Sequence, residues 1–265
     1  TLSDGSLITY GYDDIYQLIS EVRTVHAAYQ LSWGYDNVGN RITQTKNALL
    51  TLSNYNDANQ LLQEVTGLTT IAYQYDPNGN LTVKTDPTGT TTFGYDYENR
   101  QVTLDAPGTI NDATYTYNAG GTRISKTVSG VTEKYILDGA NIIADYNGSN
   151  VLQASYVTPF LDQNLLTTQV GDKWYYMQDG LGSVRSIMKG NSEKKSYDYY
   201  AFGEMRDEKT YGNLQGFYNR YKFTAREWDN ESANYYYRAR YYTPTNGRFT
   251  ARDPIEYYPG VDLYR

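Results

Sequence analysis

The sequence predicts an all-β protein made of antiparallel β-hairpins repeated along one continuous sheet. Three observations carry this. A short unit recurs: Tyr35-Asp36-Asn37-Val38-Gly39-Asn40-Arg41-Ile42 returns as Tyr75-Asp76-Pro77-Asn78-Gly79-Asn80-Leu81-Thr82. Looser copies lead with Tyr12-Asp13, Tyr55-Asn56, Tyr95-Asp96 and Tyr117-Asn118, so the leading tyrosines are spaced by 23, 20, 20, 20 and 22 residues. Tyrosine also supplies 31 of the 265 residues, against nine for Phe and Trp together. Finally, the stretches between turns alternate apolar with small polar residues, which is strand periodicity in β-favouring residue types.

Each copy reads as strand, turn, strand, turn. Thr91-Thr92-Phe93-Gly94-Tyr95 is a first strand. The Asp or Asn after the tyrosine accepts bonds from backbone N–H groups two residues on and starts the turn. Gly39-Asn40 and Gly79-Asn80, with Gly121 in the last copy, supply positive φ where the chain reverses. Arg41-Ile42-Thr43-Gln44-Thr45 is a returning strand, and Asp86-Pro87-Thr88-Gly89 a second turn. Strands of about 6–7 residues are ~20 Å long. Successive tyrosines are expected as cross-strand neighbours, each ring burying apolar area while its hydroxyl reaches water or a turn carbonyl. A structural role is the plain reading, and exposed rings that stack on carbohydrate are the sharper one.

Residues 1–130 thus form regular repeats, and 131–265 a degenerate region. There, Glu133 to Gly139 reads as strand and turn, and Trp174 to Arg185 as a strand, a glycine turn and a returning strand. Tyr197 to Gly203 opens a further unit. Residues 204–232 are more charged and read as an irregular loop or short helix. Tyr235-Tyr236-Tyr237-Arg238-Ala239-Arg240-Tyr241-Tyr242 reads as one strand with a charged edge, its arginines placed for cation–π contacts. Basic and aromatic residues interleave there as in a nucleic-acid patch; internal Arg–Tyr–Asp packing is the competing reading.

Composition excludes several classes. A net charge of −7 repels phosphate, so no nucleic-acid partner is expected. With no Cys and one His, there is no disulfide scaffold, thiolate metal site or cysteine nucleophile, and neither metal nor cofactor is expected. His26 reads as an ordinary strand residue, and acidic pairs such as Asp13-Asp14 as turns and solvated faces. No apolar run reaches membrane-spanning length, and Thr1 to Tyr10 lacks the features of a signal peptide. The absent initiator Met, and an end in mid-pattern at Asp262-Leu263-Tyr264-Arg265, suggest a piece of a longer protein.

The Tyr-Asp-x-x-Gly-Asn units resemble the YD repeats of the RHS (rearrangement hotspot) family, and the second half resembles that family's core-associated module. Asp179-Gly180-Leu181-Gly182-Ser183-Val184-Arg185 is similar to its D-x-L-G-S-x-R element, and Tyr199 to Gly203 to Y-x-P/A-F-G. Phe223 to Asp229 is similar to F-T-G-K/R-E-x-D. Tyr235 to Phe249, with Arg238, Arg240, Gly247 and Arg248, resembles Y-Y-Y-R-A-R-Y-Y-D-P-x-x-G-R-F, and Asp253-Pro254-Ile255 opens the D-P-I/x-G step. Departures are Thr243 for Asp, Ala225 for Gly, and Glu256-Tyr257-Tyr258-Pro259-Gly260 in place of a glycine-rich step.

The resemblance implies a curved, spiralling ribbon that is part of a hollow shell. In bacterial relatives such a shell encloses a C-terminal toxin, and in animal teneurins a related one serves adhesion. It implies an aspartate pair that cleaves the chain, one carboxyl protonated as acid and the other ionised as base. Asp253, with Arg252 beside it, takes one position, and the second aspartate is expected beyond Arg265; an Asp-Pro turn is the structural alternative. The expected partners are the rest of the parent shell and a C-terminal cargo or toxin domain, with self-association through unpaired sheet edges and carbohydrate as further candidates. The expected location is secreted or cell-surface. Toxin encapsulation ranks first, an adhesion or carbohydrate-binding scaffold second, and an enzyme in its own right third, since no constellation of nucleophile and base is recognisable.

Overall fold

The computed structural model describes residues 5–108, 112–214, 216–255 and 262–265. It is almost entirely antiparallel β structure, with a 20-stranded sheet, a second sheet of four strands and a single 3-10 turn at Phe223–Ala225. Two compact units divide the chain: Thr1–Thr91 with Ala251–Arg265, and Thr92–Thr250.

The first unit is a meander. Strands β1 (Leu7–Tyr12), β2 (Leu18–Thr24), β3 (Tyr29–Tyr35), β4 (Arg41–Lys46), β5 (Leu49–Tyr55), β6 (Leu61–Thr66), β7 (Thr69–Tyr75) and β8 (Leu81–Asp86) each pair antiparallel with the next. A register shift falls at each leading tyrosine, so Tyr35 lies opposite Arg41, Tyr55 opposite Leu61 and Tyr75 opposite Leu81. Such a bulge sharpens the local twist. His26 sits in the exposed turn between β2 and β3, not in a strand as expected, because β2 ends at Thr24.

The turns follow the chemistry of their side chains. The Asp36 carboxylate accepts the N–H groups of Val38 (3.1 Å) and Asn40 (2.8 Å), and its second oxygen accepts the Asn40 amide (2.8 Å). Asp76 and Asn80 repeat the pattern at 2.8 and 2.9 Å. Burial pushes the Asp36 carboxyl up, but the bonds from Asn40 outweigh it and hold the group below its ordinary value. Gly39 (φ 92°) and Gly79 (φ 88°) occupy the left-handed position. The leading tyrosines reach across to the preceding strand: the Tyr35 hydroxyl donates to the Leu18 carbonyl (2.7 Å) and the Tyr55 hydroxyl to the Arg41 carbonyl (2.9 Å).

In the second unit the meander runs through β9 (Gly89–Tyr95, of which 92–95 belong here), β10 (Gln101–Asp105), β11 (Ala113–Tyr117), β12 (Arg123–Val128), β13 (Val131–Asp138) and β14 (Asn141–Asn147). It continues through β15 (Leu152–Val157), β16 (Leu166–Gln169), β17 (Asp172–Gln178), β18 (Val184–Lys189), β19 (Ser192–Tyr199) and β20 (Met205–Thr210). One face of β13 to β19 carries the core: Tyr135, Ile142, Tyr156, Trp174, Ile187 and Tyr197 pack with Phe217 and Tyr221. Trp174 stacks on Phe217 at 4.3 Å between ring centroids. Aromatic side chains of this size each remove about 150–250 Å² from water, so these dominate the unit's hydrophobic stabilisation.

The small sheet contains β21 (Glu227–Asp229), β22 (Asn234–Tyr236), β23 (Tyr241–Thr243) and β24 (Arg248–Phe249). Two expectations change here. Residues 204–232 contain a full strand, β20, before the irregular stretch and the 3-10 turn. The run Tyr235 to Tyr242 is two strands joined by a turn rather than one strand, because Arg238 adopts φ 66° and the Tyr237 N–H bonds back to the Arg240 carbonyl (2.8 Å).

Candidate functional site

Two places concentrate charged side chains. The first is the C-terminal segment of the first unit. Asp253 is half-buried; its N–H donates to the Leu263 carbonyl (2.9 Å), and its side chain accepts the Ile255 N–H (2.9 Å) across Pro254. The Asp253 carboxylate and the Ile255 N–H thus close a short turn across Pro254. The Asp253–Leu263 bond also brings in Asp262, which is buried and accepts the Tyr264 N–H (3.0 Å). Thus an aspartate before Arg265 lies next to the residue that pairs with Asp253, a neighbour that spacing alone did not reveal. Arg252, also half-buried, lies against Gly79. The expected departure at residues 256–260 falls outside the described residues.

The second place is a buried ionic network in the second unit. Arg123, on β12 and 1 % exposed, donates to Asp229 through both terminal nitrogens, to Glu227 (3.0 Å) and to the Tyr241 hydroxyl (2.9 Å), and lies 4.1 Å from the Tyr236 ring centroid. Lys126 reaches Asp229 (2.9 Å) and, more loosely, Glu231 (3.4 Å). Arg220 is shared by Asp145 (3.1 Å), Glu133 (3.2 Å) and Glu227 (3.2 Å) and stacks on Tyr135. The Tyr156 hydroxyl donates to Asp145 at 2.6 Å.

These contacts shift two buried carboxyls in opposite directions. Burial raises both carboxyls, but Arg123 and Lys126 overcome it at Asp229 and hold that group at about 2. At Asp145 burial wins over the pull of Arg220, and the group is pushed up to about 6. Glu231 is raised by burial and by Asp229 beside it. Sequence reading missed this network because Arg123 and Asp229 stand 106 residues apart. The available signal was a charged residue on each of two adjacent strands, Lys126 opposite Glu133, where an apolar pair is usual.

The module residues are anchors. Asp179 accepts the N–H groups of Leu181 and Ser183 (3.0 and 2.9 Å), and Gly182 (φ 80°) closes that turn as Gly39 does its own. Arg185 pairs with Asp198 (3.0 Å) over the Tyr199 ring. The Gly203 carbonyl accepts the Tyr235 hydroxyl (3.1 Å). Asp162 holds both Arg226 (3.0 Å) and Arg238 (2.5 Å). Arg240 lies 3.7 Å from the Phe249 ring centroid, the Gly247 N–H bonds to the Thr243 carbonyl (2.9 Å), and Arg248 is buried. Of the arginines of this run, Arg238 is held by Asp162 and Arg240 by the Phe249 ring, both half-buried, and Arg248 is buried. Among the described residues no group of His, Asp and Glu side chains is placed to hold a metal ion, and no helix is long and apolar enough to cross a membrane.

These features define a class: a β-hairpin repeat protein whose Tyr-Asp turns recur along the sheet and whose distal module folds aromatic and charged side chains into a second layer. The RHS Repeat family model matches residues 55–91 and 75–110. The chain is 30% identical over 255 residues to the tRNA3(Ser)-specific nuclease WapA of Bacillus spizizenii, covering 95% of this chain and 10% of that protein. It is equally similar, with the same coverage, to the tRNA nuclease WapA of Bacillus subtilis strain 168. The chain therefore spans about a tenth of the length of these relatives. Among solved structures, the TcdB2-TccC3-Cdc42 crystal structure superposes with a TM-score of 0.54 at 16% identity, over 98% of this chain and 18% of that one, a likeness of fold. The chain thus carries RHS repeats, matched over residues 55–110.

Proposed function

We propose that this chain is the wall and C-terminal module of a secreted RHS shell that encloses a C-terminal toxin domain for delivery. The observation that supports the reading is that the Asp253 segment folds back onto the repeats of its own unit; a cleaving carboxylate there would stay with the wall and free the cargo downstream. Within this reading, Asp253 is one carboxylate of a self-cleaving pair, with Arg252 as its electrostatic neighbour. The ionised member takes a proton from the attacking water and the protonated member gives one to the scissile amide nitrogen, so the peptide bond is hydrolysed without a cofactor. The second aspartate lies beyond Arg265 or is Asp262.

Intact mass and native gels of the full-length protein test this. The expected result is a wild type that splits downstream of Asp253 yet migrates as one particle, and an Asp253→Asn variant that stays whole. An unsplit wild type removes the cleavage claim. Asp262→Asn separates the two choices of partner: full splitting in that variant assigns the second carboxylate to a position beyond Arg265.

The sheet edges bear on partners. An unpaired strand at the end of such a sheet offers its backbone donors and acceptors to a further chain. Light scattering coupled to sizing is expected to show mass rising with the concentration of the isolated chain, and a monodisperse monomer throughout counts against self-association. A second reading, carbohydrate binding on an adhesion scaffold, draws on the exposed rings of Tyr12, Tyr16 and Tyr97. It predicts oligosaccharide-dependent quenching of tyrosine fluorescence that is lost in Tyr16→Ala and Tyr97→Ala.

A further inference from the structure

The left-handed position of the repeat turn accepts Gly or Asn and, in the first copy, Tyr16 (φ 62°). Gly39, Asn59, Gly79, Asn99 and Gly121 all occupy it, with φ between 60° and 92°. Backbone conformation alone therefore does not dictate glycine at 39 and 79, since Asn tolerates this region. What distinguishes these two is what lies above them. A Cβ on Gly79 would stand 2.6 Å from both the Tyr264 hydroxyl and the Arg252 Cγ. A Cβ on Gly39 would meet an Arg265 guanidinium nitrogen and the Gln17 amide (3.2 Å), the ends of side chains that would have to swing aside. Above Gly121, by contrast, nothing lies within 4 Å.

The C-terminal segment uses the space that these glycines leave. Tyr264 is 1 % exposed; its hydroxyl donates to the Gly79 carbonyl (2.9 Å) and accepts from the Gln60 amide (3.0 Å), and its ring meets Tyr75 edge-on at 5.9 Å. The Arg265 guanidinium lies 5.9 Å from the Tyr35 ring centroid. The segment therefore crosses successive turns, from 76–80 past 56–60 to 36–40. Leu263, next to Tyr264, receives the Asp253 N–H.

We infer that Gly39 and Gly79 are docking seats for the C-terminal segment, and that Gly79 and Tyr264 are positioning residues that fix the Asp253 peptide against the repeat turns. Only the cleavage readout below rests on the reading of Asp253 as a cleaving carboxylate. The docking itself stands on contacts independent of it.

Gly79→Asn is the discriminating variant, because it keeps a residue suited to the turn and fills the seat. Hydrogen exchange of the Asp253 amide in the full-length protein is expected to speed up roughly tenfold or more when this buried arrangement is lost. The melting temperature of the repeats should stay put. Gly121→Asn, placed above open space, leaves the exchange unchanged. Tyr264→Phe keeps the ring, removes both hydroxyl bonds and gives a smaller acceleration in the same direction. Unchanged Asp253 exchange in both Gly79→Asn and Tyr264→Phe overturns the inference, as does an equal response to Gly121→Asn. If the wild type self-cleaves, its rate falls in the order of the exchange changes. A wild type that never cleaves, with exchange still responding to Gly79→Asn, removes the cleavage reading and leaves the docking seats in place.

Discussion

The repeat turns and the buried ionic network solve the same problem, polar groups held away from water, at opposite sequence ranges. At the turns, Asp36 and Asp76 find their backbone partners within four residues, in a geometry that recurs at every copy. In the network, Arg123, Lys126 and Arg220 compensate five carboxylates, Glu133, Asp145, Glu227, Asp229 and Glu231, from strands and loops up to 106 residues apart. The local solution tolerates variation, since Asn56 and Asn118 replace Asp at the same turn position. The distant one does not, because a buried charge that loses its partner has no water to fall back on.

The largest test of this contrast is Arg123→Met. It leaves buried Asp229 with Lys126 alone and Glu227 with Arg220 alone, and a loss of roughly 3–5 kcal/mol is expected from chemical denaturation of the second unit's transition. The double variant Arg123→Met with Asp229→Leu should recover much of it; a single variant as stable as wild type would erase the difference between the regions.

Next in size is a pH effect. The folded Asp145 carboxyl lies at about 6, above its ordinary value of 3.8. Folding therefore favours the protonated form: Asp145's part of the stability is greatest below about pH 4, declines as pH rises to about 6, and is flat beyond. The difference is about 3 kcal/mol. Arg220, Tyr156, Glu133, Glu227 and Tyr176 face or act on the group. Asp145→Asn should flatten melting midpoints between pH 4.5 and 7; a wild type already flat over that range contradicts the effect. Asp229, held at about 2, has the opposite sign and loses its contribution only at more acid pH.

The smallest effect is expected at a single turn. Asp76→Ala removes the acceptor of two Asn80 donors and should cost about 1–3 kcal/mol. Asp76→Asn, as at residue 56, should retain most of it. A cost as large as that of Arg123→Met would mean that the turns are not local units.

What could be read in advance divides along the same line. Repeat spacing, strand alternation and the Asx turns rest on contacts within about twenty residues, and the observed strands and turns follow them. The run Tyr235 to Tyr242 was misread because its reversal depends on a left-handed arginine, for which the sequence gives no glycine signal. The partnership of Asp253 with Leu263, and of Tyr264 with Gly79, was invisible because it requires knowing which turns lie beneath the segment. The sequence shows the glycines and their turn, and positive φ accounts for them without the segment that covers them.

The pairing pattern also sets an order in time. Each strand of the meander meets its sequence neighbour, so hairpins can form one after another as the chain leaves the ribosome, with little loop-closure entropy per step. The contact between Tyr264 and Gly79 spans 185 residues, and that with Gln60 spans 204. It cannot exist until Tyr264 has been made, 185 residues after Gly79. During synthesis the early turns therefore stand uncovered for many seconds at ordinary elongation rates of about 5–20 residues per second. Synthesis of Tyr264 and arrival of Asp253 at the repeats are thereby coupled, well after the turns they cover have formed.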